Sequence, residues 1–175
     1  MIDPSPNELN NLCLSCGLCC NGAAFTHVAL SQGDRDRLQQ AGHKLAHAED
    51  RISFPCQFLD GNRCSAYPER PRACRAYRCE TLISVQAGEI SLDEAHRKIA
   101  SVVALNEKFI QAVPTGMDVP TARQLVVEDV LPPEMDQALY NAMRLAFVAL
   151  QTGIDHHIRR AGTEVVSSMP AASDA

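Results

Sequence analysis

The stretch CLSCGLCC, residues 13–20, sets four cysteines in eight positions, the last two adjacent. Four more follow at Cys56, Cys64, Cys74 and Cys79, and no cysteine occurs beyond them. Thiolates gathered at short spacing suit soft and borderline metals, chiefly zinc and iron–sulfur clusters. Cys13, Cys16 and Cys19 repeat at three-residue intervals, the spacing of the first three thiolates in a bacterial-type 4Fe–4S run, which a distant cysteine completes. A single zinc ion more often takes two separated pairs, so the spacing leans toward a cluster, with a multinuclear zinc site fitting nearly as well. Cys19 and Cys20 are neighbours whose side chains diverge. The simplest expectation gives Cys19 to one centre and Cys20 to another. Eight thiols then divide into Cys13, Cys16 and Cys19 with one remote cysteine, and Cys20 with the other three; which remote cysteine goes where stays open.

Other uses of these thiols fit less well. Disulfides do not persist in a reducing cytosol, and adjacent cysteines bridge each other only with strain. Nucleophilic catalysis needs one activated cysteine, and nothing singles one out of eight. His27 is open as a ligand or base, whereas His43, His47 and His96 read as exposed helix residues. Arg63, Arg70, Arg72, Arg75 and Arg78 cluster among the later cysteines, opposed by Glu69. Guanidiniums there would offset thiolate charge and lower thiol pKa values, or would grip RNA or a phosphorylated partner. A metal-dependent enzyme or oxidoreductase with an open coordination position is the remaining alternative, so catalysis stays undecided.

These residues need elements to hold them. The 175 residues, 46% hydrophobic with net charge -5, suffice for about one domain. The acidic balance argues against a dedicated nucleic-acid binder, and no apolar run approaches bilayer length. The start MIDPSPNELNN lacks a basic segment followed by an apolar one. The expectation is a soluble, cytoplasmic protein without a membrane partner.

Residues 1–11 read as a flexible lead-in. AFTHVALS (24–31) suggests a short strand, and Ser31 caps a helix through Leu38, Ala41 and Leu45. Residues 55–67 read as a hairpin turning at Asp60-Gly61. A three-residue loop, Asp60 to Asn62, is favoured because it puts Cys56 and Cys64 on one face. Pro71 suits a helix start. Cys74 and Cys79 fall about 140° apart on an ideal helix, so they serve different sites or the helix breaks between them. Residues 91–113 open with a capping box, Ser91 and Glu94, and carry the stripe Leu92, Ala95, Ile99, Val102, Asn106, Ile110 and Val113. A second helix runs from about Pro133 to Gly153 or beyond, with Leu139, Met143, Phe147, Leu150, Ile154 and Ile158 as its stripe. Leu145 and Val148 widen its apolar face, a candidate surface for a protein partner or a second copy. Residues 161–175 read as a disordered tail.

CLSCGLCC, then PCQFL, then NRCSAYPERPRACRAYRC together resemble the YkgJ-like cysteine-cluster family, also called CxxCxxCC. The family is variously described as zinc-, iron- or iron–sulfur-binding. The resemblance covers residues 12–80 and implies that Cys13, Cys16, Cys19, Cys20, Cys56, Cys64 and Cys74 ligate metal, with Cys79 fitting as an eighth. Ala66 departs from the larger apolar residue expected there, which touches packing more than ligation. The chain is thus expected to be mainly α. A small irregular cysteine-rich lobe with a hairpin (12–88) would pack against a C-terminal antiparallel helical pair (89–160).

Overall fold

The computed structural model describes residues 5–45 and 50–159. The chain is mainly helical. In order it forms α1 (Pro6–Cys16), β1 (His27–Ala29), α2 (Gln32–Gln40), β2 (Arg51–Ser53), β3 (Leu59–Asp60), β4 (Arg63–Cys64), α3 (Arg72–Ala76), α4 (Glu80–Gln86), α5 (Leu92–Ala112), α6 (Val119–Val127) and α7 (Gln137–His157). The expected tail and His47 lie outside the described residues.

The expected lead-in over residues 1–11 is helical from Pro6 onward. Ser5 and Glu8 form a capping box, and Gly17 in the left-handed conformation (φ +66°) ends the helix by returning its N–H to the Cys13 carbonyl. A side chain at Gly17 would also meet the Asn62 amide oxygen at 2.9 Å. β1 pairs antiparallel with β2, Val28 opposite Ile52. Ser31 caps α2 as its sequence suggests, with Asp34 completing the box.

The hairpin corrects the sequence expectation. Asp60 pairs with Arg63 and Leu59 with Cys64, so the loop is two residues, Gly61-Asn62, with Gly61 supplying the positive φ. Cys56 is not on the strand; it sits in a turn before it, where its carbonyl accepts the Leu59 N–H at 2.9 Å. Strand alternation therefore does not govern its direction.

α5 and α7 form the helical pair. Phe109 meets Phe147 with ring centroids 5.3 Å apart, and a Cβ on Gly153 would lie 2.9 Å from the Leu105 side chain and 3.5 Å from that of Val102. Contacts that descend along one helix while ascending the other mark the pair as antiparallel. Two stripe positions shift by one residue. Phe109 is fully buried whereas Ile110 is 46% exposed, and Tyr140 is buried whereas Leu139 is 41% exposed. The large aromatic takes the inward position in each case because it removes more surface from water. At the start of α5, Ser91 accepts the Glu94 N–H, while the Glu94 carboxylate pairs with Lys98 at 3.1 Å. The segment broken by Pro114, Gly116 and Pro120 contains a further helix, α6, capped by Asp118 with Pro120 in its first turn.

The cysteine region and the helical region share one core, running from Leu12, Leu18 and Phe25 to Val102, Met143 and Ile154. α1 and α4 lie on α5. The carbonyls at the end of α7, which no residue of that helix can satisfy, are met from the cysteine region. The Tyr77 hydroxyl donates to the Ile158 carbonyl at 2.6 Å, and the Thr81 hydroxyl to that of His157 at 2.7 Å.

Candidate metal centre

All eight cysteines are free and all eight line one cavity of about 380 Å³. Local structure explains how. Cys13 and Cys16 are three apart in the last turns of α1, a spacing that puts both on one helix face. The Gly17 reversal then turns the chain back: the Cys20 and Asn21 amides both donate to the Gly17 carbonyl at 2.9 Å. Cys19 and Cys20 ride on this turn. The Cys56 amide donates to the Cys20 carbonyl at 2.8 Å, which fastens the Cys56 segment beside the Cys19–Cys20 turn. Cys64 enters from β4. Cys74 enters from α3, which ends at Tyr77; Cys79 is the N-cap of α4. The helix is broken between the last two, so each points its own way.

The thiols fall into two neighbourhoods. Cys16 is influenced by Cys79, Cys13 and then Cys20, and Cys19 by Cys16, Cys79, Cys20 and Cys13 in falling order. Among the thiols, Cys20 is influenced first by Cys56 and Cys64 and then by Cys13, and Cys74 by Cys20, Cys56 and Cys64. The stronger influences thus run within Cys13, Cys16, Cys19 and Cys79 and within Cys20, Cys56, Cys64 and Cys74, with weaker ones crossing through Cys20. The adjacent Cys19 and Cys20 stand at the boundary, where Cys20 also raises Cys19. Among the described residues, no three His, Cys, Asp or Glu donors close down to the spacing of a bound ion; the thiols line the shared cavity instead.

Burial dominates the electrostatics. It pushes the Cys16 and Cys20 thiols up to about 12 and Cys79 up to about 11. Cys19 and Cys74 are also driven up, by burial first and by neighbouring thiols second. Arginines oppose this as the sequence suggests, but they do not prevail. Arg78 and Arg70 draw Cys13 down, and Arg70 draws down Cys20, Cys64 and Cys74, yet each thiol remains raised. Arg70 is held over the Tyr67 ring at 3.7 Å and donates to the Tyr67 carbonyl. Arg63 and Arg72 are exposed.

Backbone amides also aim at sulfur. The Leu18 N–H serves Cys16, Phe58 serves Cys56, Ala66 serves Cys64, and Leu82 and Thr81 serve Cys79. Ala66 itself is fully buried. Amide donors favour a thiolate, burial disfavours one, and a metal cation at the sulfurs resolves the conflict. The donor set therefore fits a thiolate-bound metal or cluster. Histidine does not join it: His27 lies outside the cavity lining, with Nδ1 3.0 Å from the Thr26 hydroxyl.

One positioning residue escapes a reading of spacing. Asp34, buried in α2, accepts the Arg72 N–H at 2.8 Å. It thereby caps α3, whose own N-cap, Pro71, has no side-chain acceptor. Burial pushes the Asp34 carboxyl up, but bonds from Ser31 and Arg72 outweigh it and hold it below the usual range. The only sequence signal was an acid inside a capping box; its reach to the Cys74 helix is a tertiary contact.

The family described as "CxxCxxCC: putative zinc- or iron-chelating domain" matches residues 12–102. That span takes in every cysteine and the first half of α5. No curated protein and no solved structure matches the chain.

Proposed function

The chain belongs to the CxxCxxCC family of zinc- or iron-chelating domains, and from that premise we propose that it holds two thiolate-bound metal centres. Cys13, Cys16, Cys19 and Cys79 would hold one, and Cys20, Cys56, Cys64 and Cys74 the other. What supports this is that the strongest influences among the eight thiols lining one cavity run within two sets of four, with weaker ones crossing between the sets through Cys20. Four thiolates satisfy either a tetrahedral zinc ion or a cluster. We favour iron–sulfur clusters. The three-residue repeat of Cys13, Cys16 and Cys19 supports that reading, as does a cavity of about 380 Å³, more than ten times a water molecule's share of liquid volume. With four thiolates per centre no coordination position is left open, so the reading is electron transfer or structural support rather than hydrolysis at metal.

Anaerobic purification followed by iron, zinc and sulfide analysis tests this. Brown protein with equal iron and sulfide is expected, and Cys79→Ser or Cys74→Ser should each halve both. Colourless protein with two zinc ions per chain would replace the clusters while keeping the two sets. Loss of all metal from either single variant would overturn the division.

A further inference from the structure

We propose that Arg123 and Arg159 form a binding site for a small oxyanion, behind the loop that follows Cys19 and Cys20. Arg123 lies on α6 and reaches back to that loop: a Cβ built on Gly22 would stand 3.5 Å from its Nη1 and 3.5 Å from the Phe54 carbonyl. Gly22 has φ +86°, a conformation that glycine adopts without strain, so the backbone there passes close to Arg123. Arg159 follows α7 and is 2% exposed. Its Nε donates to the Ala24 carbonyl at 3.3 Å and its Nη2 to the Gln151 amide oxygen at 2.6 Å, and its Nη1 pairs with Asp155. Both guanidiniums therefore converge on residues 22–24.

Their hydrogen bonding is unequal. Arg159 is well supplied with acceptors, whereas the buried Arg123 Nε has none among the described residues. Burial, and then the charge of Arg159, pull the Arg123 pKa down to about 10, so it stays a cation at neutral pH. Arg159 has Asp155 as an ion-pair partner. A buried charged donor without an acceptor is unfavourable, and such a group in a folded protein calls for an ion or a water. The planar fork of arginine fits the oxygens of phosphate, sulfate or carboxylate, often through two parallel bonds. An oxyanion would supply the acceptor that the Arg123 Nε lacks. It would also pin the loop that leads out of the cysteine turn. The inference does not depend on which metal the thiols hold.

The test is thermal unfolding of the full, metal-loaded chain in inorganic phosphate against chloride at equal ionic strength. The midpoint should rise with the logarithm of phosphate concentration. Arg123→Gln should abolish the rise, whereas Arg35→Gln, on α2 and bonded to Leu30 and Gln32, should leave it intact. Should Arg123→Gln fail to fold, Arg123→Lys, which keeps the charge but loses the fork, should weaken phosphate binding about tenfold or more. Sulfate acting like phosphate while acetate does not would support a tetrahedral anion; acetate acting equally would support a carboxylate. Identical midpoints in phosphate and chloride, or a phosphate effect that survives Arg123→Gln, would overturn the site.

Discussion

The cysteine region and the α5–α7 pair solve the same folding problem with different materials. The pair is two 21-residue helices whose inward faces interdigitate through Phe109, Met143, Phe147 and Leu150. The cysteine region has two-stranded ladders of two or three residues and helices as short as five residues, arranged around a thiol-lined cavity. Interdigitated side chains carry their own stabilisation. A cavity walled with thiols does not, and needs something inside it. The two regions are nonetheless one body, because the core is continuous and Tyr77 and Thr81 satisfy the end of α7.

The largest effect should come from emptying the cavity. Metal removal under reducing conditions should collapse amide exchange protection over residues 12–80 while α5 and α7 stay protected. Hydrogen-exchange mass spectrometry reads both regions at once. Equal loss of protection in both would erase the contrast; no loss in the first would remove the metal's structural role.

The reverse lesion lies in the pair. Phe147→Ala should cost about 3–5 kcal/mol by chemical denaturation, from lost contact with Phe109 and the cavity left behind. That cost should be alike with and without metal, because neither ring touches a thiol.

Alkaline pH sharpens the contrast further. The folded, metal-free thiols of Cys16 and Cys20 titrate near 12 and that of Cys79 near 11, against an ordinary value of 9.0. Below pH 9 these thiols are neutral whether the chain is folded or not, and their effect on stability is constant. Above it the unfolded chain ionises first, so the metal-free protein should lose stability as pH rises from about 9 toward about 12. The metal-loaded protein already holds thiolates and should lack this loss. Denaturation midpoints at stepped pH check it.

The same two regions were unequally legible in the sequence. Ser31 and Ser91 announce their helices because a cap is a local matter, and the stripes of α5 and α7 announce their core faces by period. α1 had equally local signals in Ser5, Glu8 and Gly17, as α6 had in Asp118 and Pro120; both were obscured by nearby prolines. The one-residue shifts to Phe109 and Tyr140 were not legible, since helical period alone does not say which of two neighbouring apolar residues wins the interior. In the cysteine region the donors were plain from residue type and spacing. Their grouping was not. It depends on the Cys56 amide meeting the Cys20 carbonyl, on Asp34 capping the Cys74 helix, and on the chain breaking at Tyr77, all contacts between distant segments.

The smallest effect concerns the seam between the regions. Tyr77→Phe removes the bond to the Ile158 carbonyl and should cost about 1 kcal/mol. It should also raise exchange at both the end of α7 and residues 77–82. A change confined to one side would show that the two regions are less coupled than the shared core implies.

The central claim is that eight thiols bind metal in two groups of four. Its most direct measurement is thiol alkylation of the anaerobically isolated protein, mapped by mass spectrometry and followed by metal content. In the loaded protein all eight cysteines should resist the reagent. Partial chelation should release them in two groups, Cys13, Cys16, Cys19 and Cys79 together and Cys20, Cys56, Cys64 and Cys74 together. Isolated protein without metal whose cysteines react freely, or one whose cysteines are joined as disulfides, would contradict the account.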